Sequence, residues 1–338
     1  METDTLYKDF KLVTLKGSPS YQTNNLSTNG DYFVYAYNGD PMSKLFLFDH
    51  TVLKQTKKDE TVNSFQLYKE FDYIVNTNYV KKEDKWNLVV CCYKSCQIWN
   101  YNGSRLQEKL EAPESDEGSP YAFTCSSRAA SDNGIEYIAI GTNKGEIFFN
   151  KEKGSTQSVF QMHDNNPITH MTFDERSKVL AVGNSNGYVV LFKAEESDDK
   201  VKLNPISHLE PPNEIPLTSL GTLFRGENLL VSCFCNGTVK IHTFEGAQVC
   251  EIGAHSRNIN AVCCHPSKSI FCTVGDDCFL NVWEVIGDTT DKIEVDLRLS
   301  SKITDLMLVG VHFSGEDNSS IVAVPYDYPN LILCENVI

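Results

Sequence analysis

The feature that most restricts the fold of this chain is a strand–turn–strand unit recurring at nearly constant spacing. Tyr137–Phe149, Leu180–Phe192, Leu230–His242 and Phe271–Trp283 each read as an apolar run, a short polar turn and a second apolar run. Their turn positions, Gly145, Gly187, Gly237 and Cys278, lie 42, 50 and 41 residues apart. Glycine suits the first three because a tight hairpin turn needs a residue at positive φ. Cys278 breaks that rule and predicts a strained or altered turn. Elsewhere, runs of β-branched, aromatic and aliphatic residues alternate with Asn, Gly, Asp and Ser, and no stretch keeps an apolar stripe at helical spacing over three turns.

A period of about 40–50 residues with this content predicts an all-β chain of four-stranded blades, a β-propeller. Extending the period both ways gives one domain of seven blades, at about 20–56, 57–115, 119–163, 164–210, 211–254, 255–302 and 303–338. The last unit is a strand short. Phe10–Leu15, within the leading residues 1–19, supplies the missing outer strand, so the N-terminal strand pairs with the final blade. Two acidic runs, Glu111–Glu117 and Glu195–Lys200, read as exposed loops.

Gly253-Ala254-His255 followed 28 residues later by Trp283-Glu284 resembles the Gly-His … Trp-Asp signature of the WD-repeat family, with Glu in place of Asp. Met162-His163 ahead of Phe192 is a degenerate copy, and Gln97-Ile98-Trp99-Asn100 is a strand ending of the same type. The resemblance implies a hydrogen-bonded tetrad of His255, Thr273, Asp277 and Trp283 in the sixth blade. An Asp–His–hydroxyl set also looks like a hydrolase triad, but no Gly-x-Ser-x-Gly elbow accompanies it, and such a chain can satisfy every buried polar group within a blade. The tetrad is therefore read as structural, with no catalytic residue.

Other motifs carry less. Cys263-Cys264-His265, near Cys272 and Cys278, has metal-ligand residue types, but adjacent residues on a strand point to opposite faces and cannot share one ion. Cys233 and Cys235 share a face without a second pair, so no metal is assigned. Leu223-Phe224-Arg225-Gly226 resembles the phosphoinositide loop of certain propellers but has one arginine where two are needed. Tyr68, Phe71, Tyr73 and Tyr79 are read as core of the second blade. No phosphate-binding Gly-rich motif occurs, and no cofactor is expected.

The charge then narrows the partners. Thirty Lys+Arg against 45 Asp+Glu give a net charge of −15, which opposes nucleic-acid and anionic-lipid binding. The acidic start Met1-Glu2-Thr3-Asp4 lacks the character of a secretory signal, and no apolar run approaches the length of a membrane span. The 12 cysteines then read as thiols in a cytoplasmic protein. The expected function is a non-enzymatic scaffold binding other proteins, its oligomeric state open and a monomer among the options. The alternatives are a phosphoinositide- or modified-peptide-binding propeller and, behind these, a propeller enzyme. Candidate contact residues are Arg257, Asp276, Ser185 and Asn143 in the loops, with Asn260 and Thr169 one residue into successive inner strands.

Overall fold

The recurring apolar runs are extended because each is too short for a packed helix and dense in residues that favour a pleated surface. The computed structural model describes residues 10–39, 42–54, 65–66, 72–113, 120–151, 154, 156–162, 165–197, 200–211, 213–287, 293–315 and 317–338. After β1 (Lys11–Thr14), the first sheet holds β2 (Ser27–Thr28), β3 (Tyr32–Tyr37), β4 (Lys44–Asp49) and β5 (Phe65–Gln66). The second holds β6 (Ile74–Lys82), β7 (Lys85–Cys92), β8 (Ser95–Asn100) and β9 (Leu106–Glu111). The third is β10 (Phe123–Ala130), β11 (Glu136–Thr142), β12 (Glu146–Asn150) and β13 (Gln157–Gln161). The fourth is β14 (Ile168–Asp174), β15 (Val179–Asn184), β16 (Val189–Ser197) and β17 (Lys200–Leu209). The fifth is β18 (Leu217–Arg225), β19 (Glu227–Phe234), β20 (Thr238–Thr243) and β21 (Gln248–Gly253). The sixth is β22 (Ile259–Cys264), β23 (Ile270–Gly275), β24 (Phe279–Ile286) and β25 (Glu294–Lys302), and β26 (Leu308–Ser314), β27 (Ser320–Pro325) and β28 (Asn330–Cys334) follow.

Each sheet is antiparallel with its strands in chain order, and β1 completes the seventh by pairing with β28, Lys11 opposite Leu333 and Thr14 opposite Asn330. The described residues contain a 3-10 turn at His50–Lys54, and no helix among them is long and apolar enough to cross a membrane. Two compact units are distinguished, one of residues 1–37, 46–66 and 221–338, the other of 38–45 and 67–220.

The second strand of each blade explains why the unit must repeat. β15, β23 and most of β27 are buried at every position, so both faces of the sheet are apolar and a lone blade would leave one of them wet. In the second unit, the third and fourth sheets share a core of Tyr137, Phe149, Met171, Leu180, Val182 and Phe192. In the first unit, Val274, Leu280, Val311, Phe313 and Ala323 do the same for the sixth and seventh.

The turn positions behave as one class. Gly145, Gly187 and Gly237 have φ of 77°, 88° and 86°, and Cys278 takes the same left-handed conformation at 68°. The expected difference at Cys278 is thus strain in an unchanged turn. We expect Cys278→Gly to stabilise the protein by about 0.5–1 kcal/mol, the relief of a left-handed side chain less glycine's greater freedom when unfolded. Chemical denaturation of the two proteins checks it, and a destabilised variant would count against it.

One expected loop is corrected. Much of the acidic run 195–200 lies in the β16–β17 hairpin, where Glu195 pairs with Lys202 and Glu196 with Val201. Glu196 is tolerated there because its carboxylate receives Lys151 Nζ at 2.5 Å and the Tyr137 hydroxyl. Of the other run, Glu111 ends β9 and residues 114–119 lie outside the described residues.

Candidate functional site

The sixth blade brings together the four residues expected as a tetrad. His255 precedes β22, Thr273 lies on β23, Asp277 in the β23–β24 turn and Trp283 on β24. His255 Nδ1 donates to Asp277 Oδ1 at 2.8 Å, Thr273 Oγ1 donates to His255 Nε2 at 2.8 Å, and Trp283 Nε1 donates to Thr273 Oγ1 at 3.0 Å. This direction follows from the acceptor-only carboxylate at one end and the donor-only indole at the other. The other carboxylate oxygen accepts the Ser256 N–H at 2.9 Å. The His255 side chain has no exposed surface and the Asp277 side chain is 8% exposed. Burial alone would raise the Asp277 carboxyl, but hydrogen bonding and charge from His255, with the Ser256 and Phe279 N–H groups, hold it below the ordinary value. The Thr273 hydroxyl lies between imidazole and indole, donating to one and accepting from the other.

The sequence showed only half of a second chain of this kind. In the second blade Trp99 Nε1 donates to Gln97 Oε1 at 3.1 Å, Gln97 Nε2 to Ser95 Oγ at 3.4 Å, and Ser95 Oγ to Asp72 Oδ2 at 3.3 Å. Asp72 also accepts the Lys94 N–H and is buried, which raises its carboxyl. The Trp99 strand ending was visible in the sequence; Asp72 was not, because it stands where the signature has no acid. His163, the expected degenerate copy, lies outside the described residues, as do Tyr68 and Phe71.

The six expected contact residues separate into three groups. Among the described residues the innermost strands β6, β10, β14, β22 and β26 carry a bulge, whose extra residue is Val75, Thr124, Thr169, Asn260 or Val309. Two expected contacts therefore sit on bulges. Asn260 is fully buried, its Nδ2 shared between Asp276 Oδ1 at 2.7 Å and the Leu308 carbonyl at 2.8 Å, so it fastens neighbouring loops and offers nothing to a partner. Thr169 donates to the Gly183 carbonyl at 3.3 Å. Asn143, Ser185 and Asp276 form the second group. Each N–H is bonded to the carbonyl of the residue just before the innermost strand: Ala122, Pro167 and Asn258. Asn143 also directs its side chain inward, to the Ala122 N–H and the Pro120 carbonyl. Arg257, the third group, is exposed.

Tyrosines were the missed members of this loop set. Tyr93 and Tyr326 occupy the position of Asn143, Ser185 and Asp276, with N–H groups bonded to the Tyr73 and Met307 carbonyls. Tyr93 stacks on Tyr73 at 5.3 Å, each 44% exposed, so Tyr73 is a surface residue and not the core residue expected; Tyr79 is buried. In the other unit Tyr326 meets Tyr21 edge-on at 5.7 Å, and the Tyr21 hydroxyl donates to Asp276 at 2.9 Å. Burial and that carboxylate raise the Tyr21 phenol. Asp276, Tyr21 and Tyr326 form a mixed aromatic and charged group on the blade-end loops of the first unit, and Arg257 stands exposed on the loop before β22.

Cys263 packs in the core with Val311 and Phe313 while Cys264 packs with Val231 and Phe271, the opposite faces expected of neighbours on a strand. Among the described residues no group of three or more His, Cys, Asp and Glu is arranged to hold a metal ion. Arg225 Nε donates to the Gly287 carbonyl at 2.8 Å, so that part of the guanidinium is engaged by backbone.

Residues 133–209 match the family model for the anaphase-promoting complex subunit 4 WD40 domain, and residues 246–284 match that of the WD domain, G-beta repeat. These segments span about a third of the chain. No curated protein matches it in sequence. A chain of the crystal structure of the mitotic checkpoint complex superposes with a TM-score of 0.73 at 14% identity, over 99% of this chain and 97% of that one. The fold is a β-propeller of seven four-stranded blades, and the matched segments are similar to WD repeats.

Proposed function

We propose that this chain is a non-enzymatic WD-repeat scaffold that holds protein partners in a cytoplasmic assembly. The observation that carries the reading is the sixth-blade tetrad: the one Asp–His–hydroxyl set the sequence offered is closed on itself by Trp283, while Arg257, Tyr21 and Tyr326 stand exposed on the loops. The matched family model and the solved structure both bear the names of multi-protein complexes, which supports the same mode of action. Twelve free thiols support a reducing compartment. We infer a finer resemblance, to WD repeat-containing protein 54, from the chain's length and from Ile252–Val262, Val274–Trp283, Val311–Gly315 and Ala323–Tyr328.

Affinity capture of the full chain from native cells, with quantification of what co-purifies, tests the reading. A protein partner should appear in stoichiometric amount, survive chelator and fall away with added salt, and the purified protein should carry less than about one equivalent of transition metal. Turnover of a small substrate, or a tightly held metal, would show an enzyme.

A further inference from the structure

In the second unit a cleft of about 480 Å³ opens between the third and fourth sheets, a size within the roughly 300–1,000 Å³ of ordinary ligand sites. Its lining includes two buried apolar side chains, Met162 and Val190, and the rings of Phe160 and Tyr188. Glu210 and Glu214 line it as well. Both glutamates are exposed, and neither has an ion pair or a hydrogen bond among the described residues.

The walls are fixed in advance. Gly187 stands at φ 88° with the Ile215 carbonyl and the Pro211 ring pressed against the place a Cβ would fill, which locks the β15–β16 turn to the segment carrying both glutamates. Asn184 Oδ1 braces that turn by accepting the Asn186 and Tyr188 N–H groups at 3.0 and 3.1 Å. The Phe160 ring is held edge-on against Phe192 at 4.8 Å. A preformed cleft binds without the ordering loss that a mobile loop would suffer.

Apolar and aromatic walls with two unpaired carboxylates match a cation on an apolar stem. The methylenes of a lysine or arginine lie along Met162, Val190 and Phe160, and the charged head reaches Glu210 and Glu214 beside the Tyr188 ring. The same carboxylates repel phosphate groups, so nucleic acid and phosphorylated segments do not fit. We propose that this cleft binds an arginine or lysine side chain presented by a basic segment of a protein partner. The inference rests on the scaffold reading and adds to it the chemistry of the partner. A net charge of −15 favours the same partners at longer range.

The test uses the full chain labelled with 13C at its methionine methyl groups. It is titrated with an acetylated glycine–serine nonapeptide carrying two central arginines, and with versions carrying two lysines or two glutamates. The Met162 methyl resonance, identified by its loss in Met162→Leu, should shift saturably with either cationic peptide and stay in place with the acidic one. The arginine arm should bind at least as tightly as the lysine arm, because two carboxylates can engage the planar guanidinium fork. In Glu210→Gln/Glu214→Gln the Kd should rise at least about tenfold, whereas Glu245→Gln/Glu294→Gln, which removes equal charge elsewhere, should leave it within about twofold. A Met162 methyl that never moves, an equal response to the acidic peptide, or equal losses in the two double variants would overturn the cleft. Those results leave the scaffold reading intact, since it falls only if native-cell capture yields no stoichiometric protein.

Discussion

Removing residues 1–18 lowers the melting temperature of the protein by roughly 4 °C or more, because β1, which completes the seventh blade, lies among them. β1 forms a ladder with β28, extended by the Leu15 N–H to the Pro329 carbonyl at 2.7 Å and by Thr14 Oγ1 to Asn330 Oδ1 at 3.1 Å. Val13 and Leu15 are buried in a cluster with Tyr35, Phe46, Phe48, Leu331 and Leu333. Burying two such side chains contributes about 1.5–3 kcal/mol each, offset in part by the ordering of the strand, so a net loss on the order of 3 kcal/mol is expected. The loss extends beyond the strand. Tyr35 is fully buried and its hydroxyl donates to the Gly17 carbonyl at 2.8 Å, so the truncation leaves a buried phenol without that partner. It also bares β28 as an apolar edge, which invites association between copies. Calorimetry of full-length and truncated chains decides the matter. Val13→Asp, which keeps the chain length, should act in the same direction should the truncated protein aggregate. Unchanged melting of both variants would mean that the strand contributes nothing to the fold.

That strand could be read from the sequence for the same reason the blades could. A propeller blade is buried on both faces, so its second and third strands appear as unbroken apolar runs, and the tight turn between them imposes glycine at a fixed place. Leu180–Phe192 shows both signals and folds accordingly. The run 195–200 was misread as a loop because acidity was taken to oppose a strand, yet Glu195 and Glu196 pair across the β16–β17 hairpin. Nothing local announces that Glu196 meets Lys151 and Tyr137, which lie far off in the chain.

The loops were less legible than the strands. A bulge has no residue signature: Val75, Thr124, Thr169, Asn260 and Val309 share a backbone position and no chemistry. Asn260 was placed one residue into its inner strand, where it lies, but was taken for a contact although the bulge turns it inward to Asp276 and the Leu308 carbonyl. Tyr73 failed in the opposite sense, since aromatic character was equated with core. Its partner Tyr93 occupies a turn position held by Asn143, Ser185 and Asp276 in the third, fourth and sixth blades, and the two rings cover one another at the surface. The tetrad was legible because its residues are chemically specific and their spacing follows from one hairpin. The Asp72 chain was not, because glutamine and serine bridge it in place of histidine and threonine.

His255→Ala in the tetrad costs about 1–3 kcal/mol of stability, the usual penalty for leaving buried polar groups unpaired. The imidazole is an inner link, so its loss leaves Asp277 Oδ1 with only the Phe279 N–H at 3.3 Å and the Thr273 hydroxyl proton without its acceptor. Trp283→Phe, which removes the indole N–H while keeping most of the ring, should cost less. The double variant should lose less than the two single losses added together, because both act on one connected chain. Acid separates this chain from ordinary packing. The Asp277 carboxyl lies below its ordinary value of 3.8 in the folded protein, so its contribution is present above the unfolded value and is lost as pH falls through the folded one. From about pH 5 downward the native protein should therefore lose stability more steeply than Asp277→Asn, which has no proton to take up. Urea titrations at stepped pH measure both slopes. Parallel slopes, or full additivity in the His255/Trp283 cycle, would show that the four residues are neighbours without forming a coupled chain. A fully stable His255→Ala protein that had lost a hydrolytic activity would reverse the assignment and make the constellation an active site.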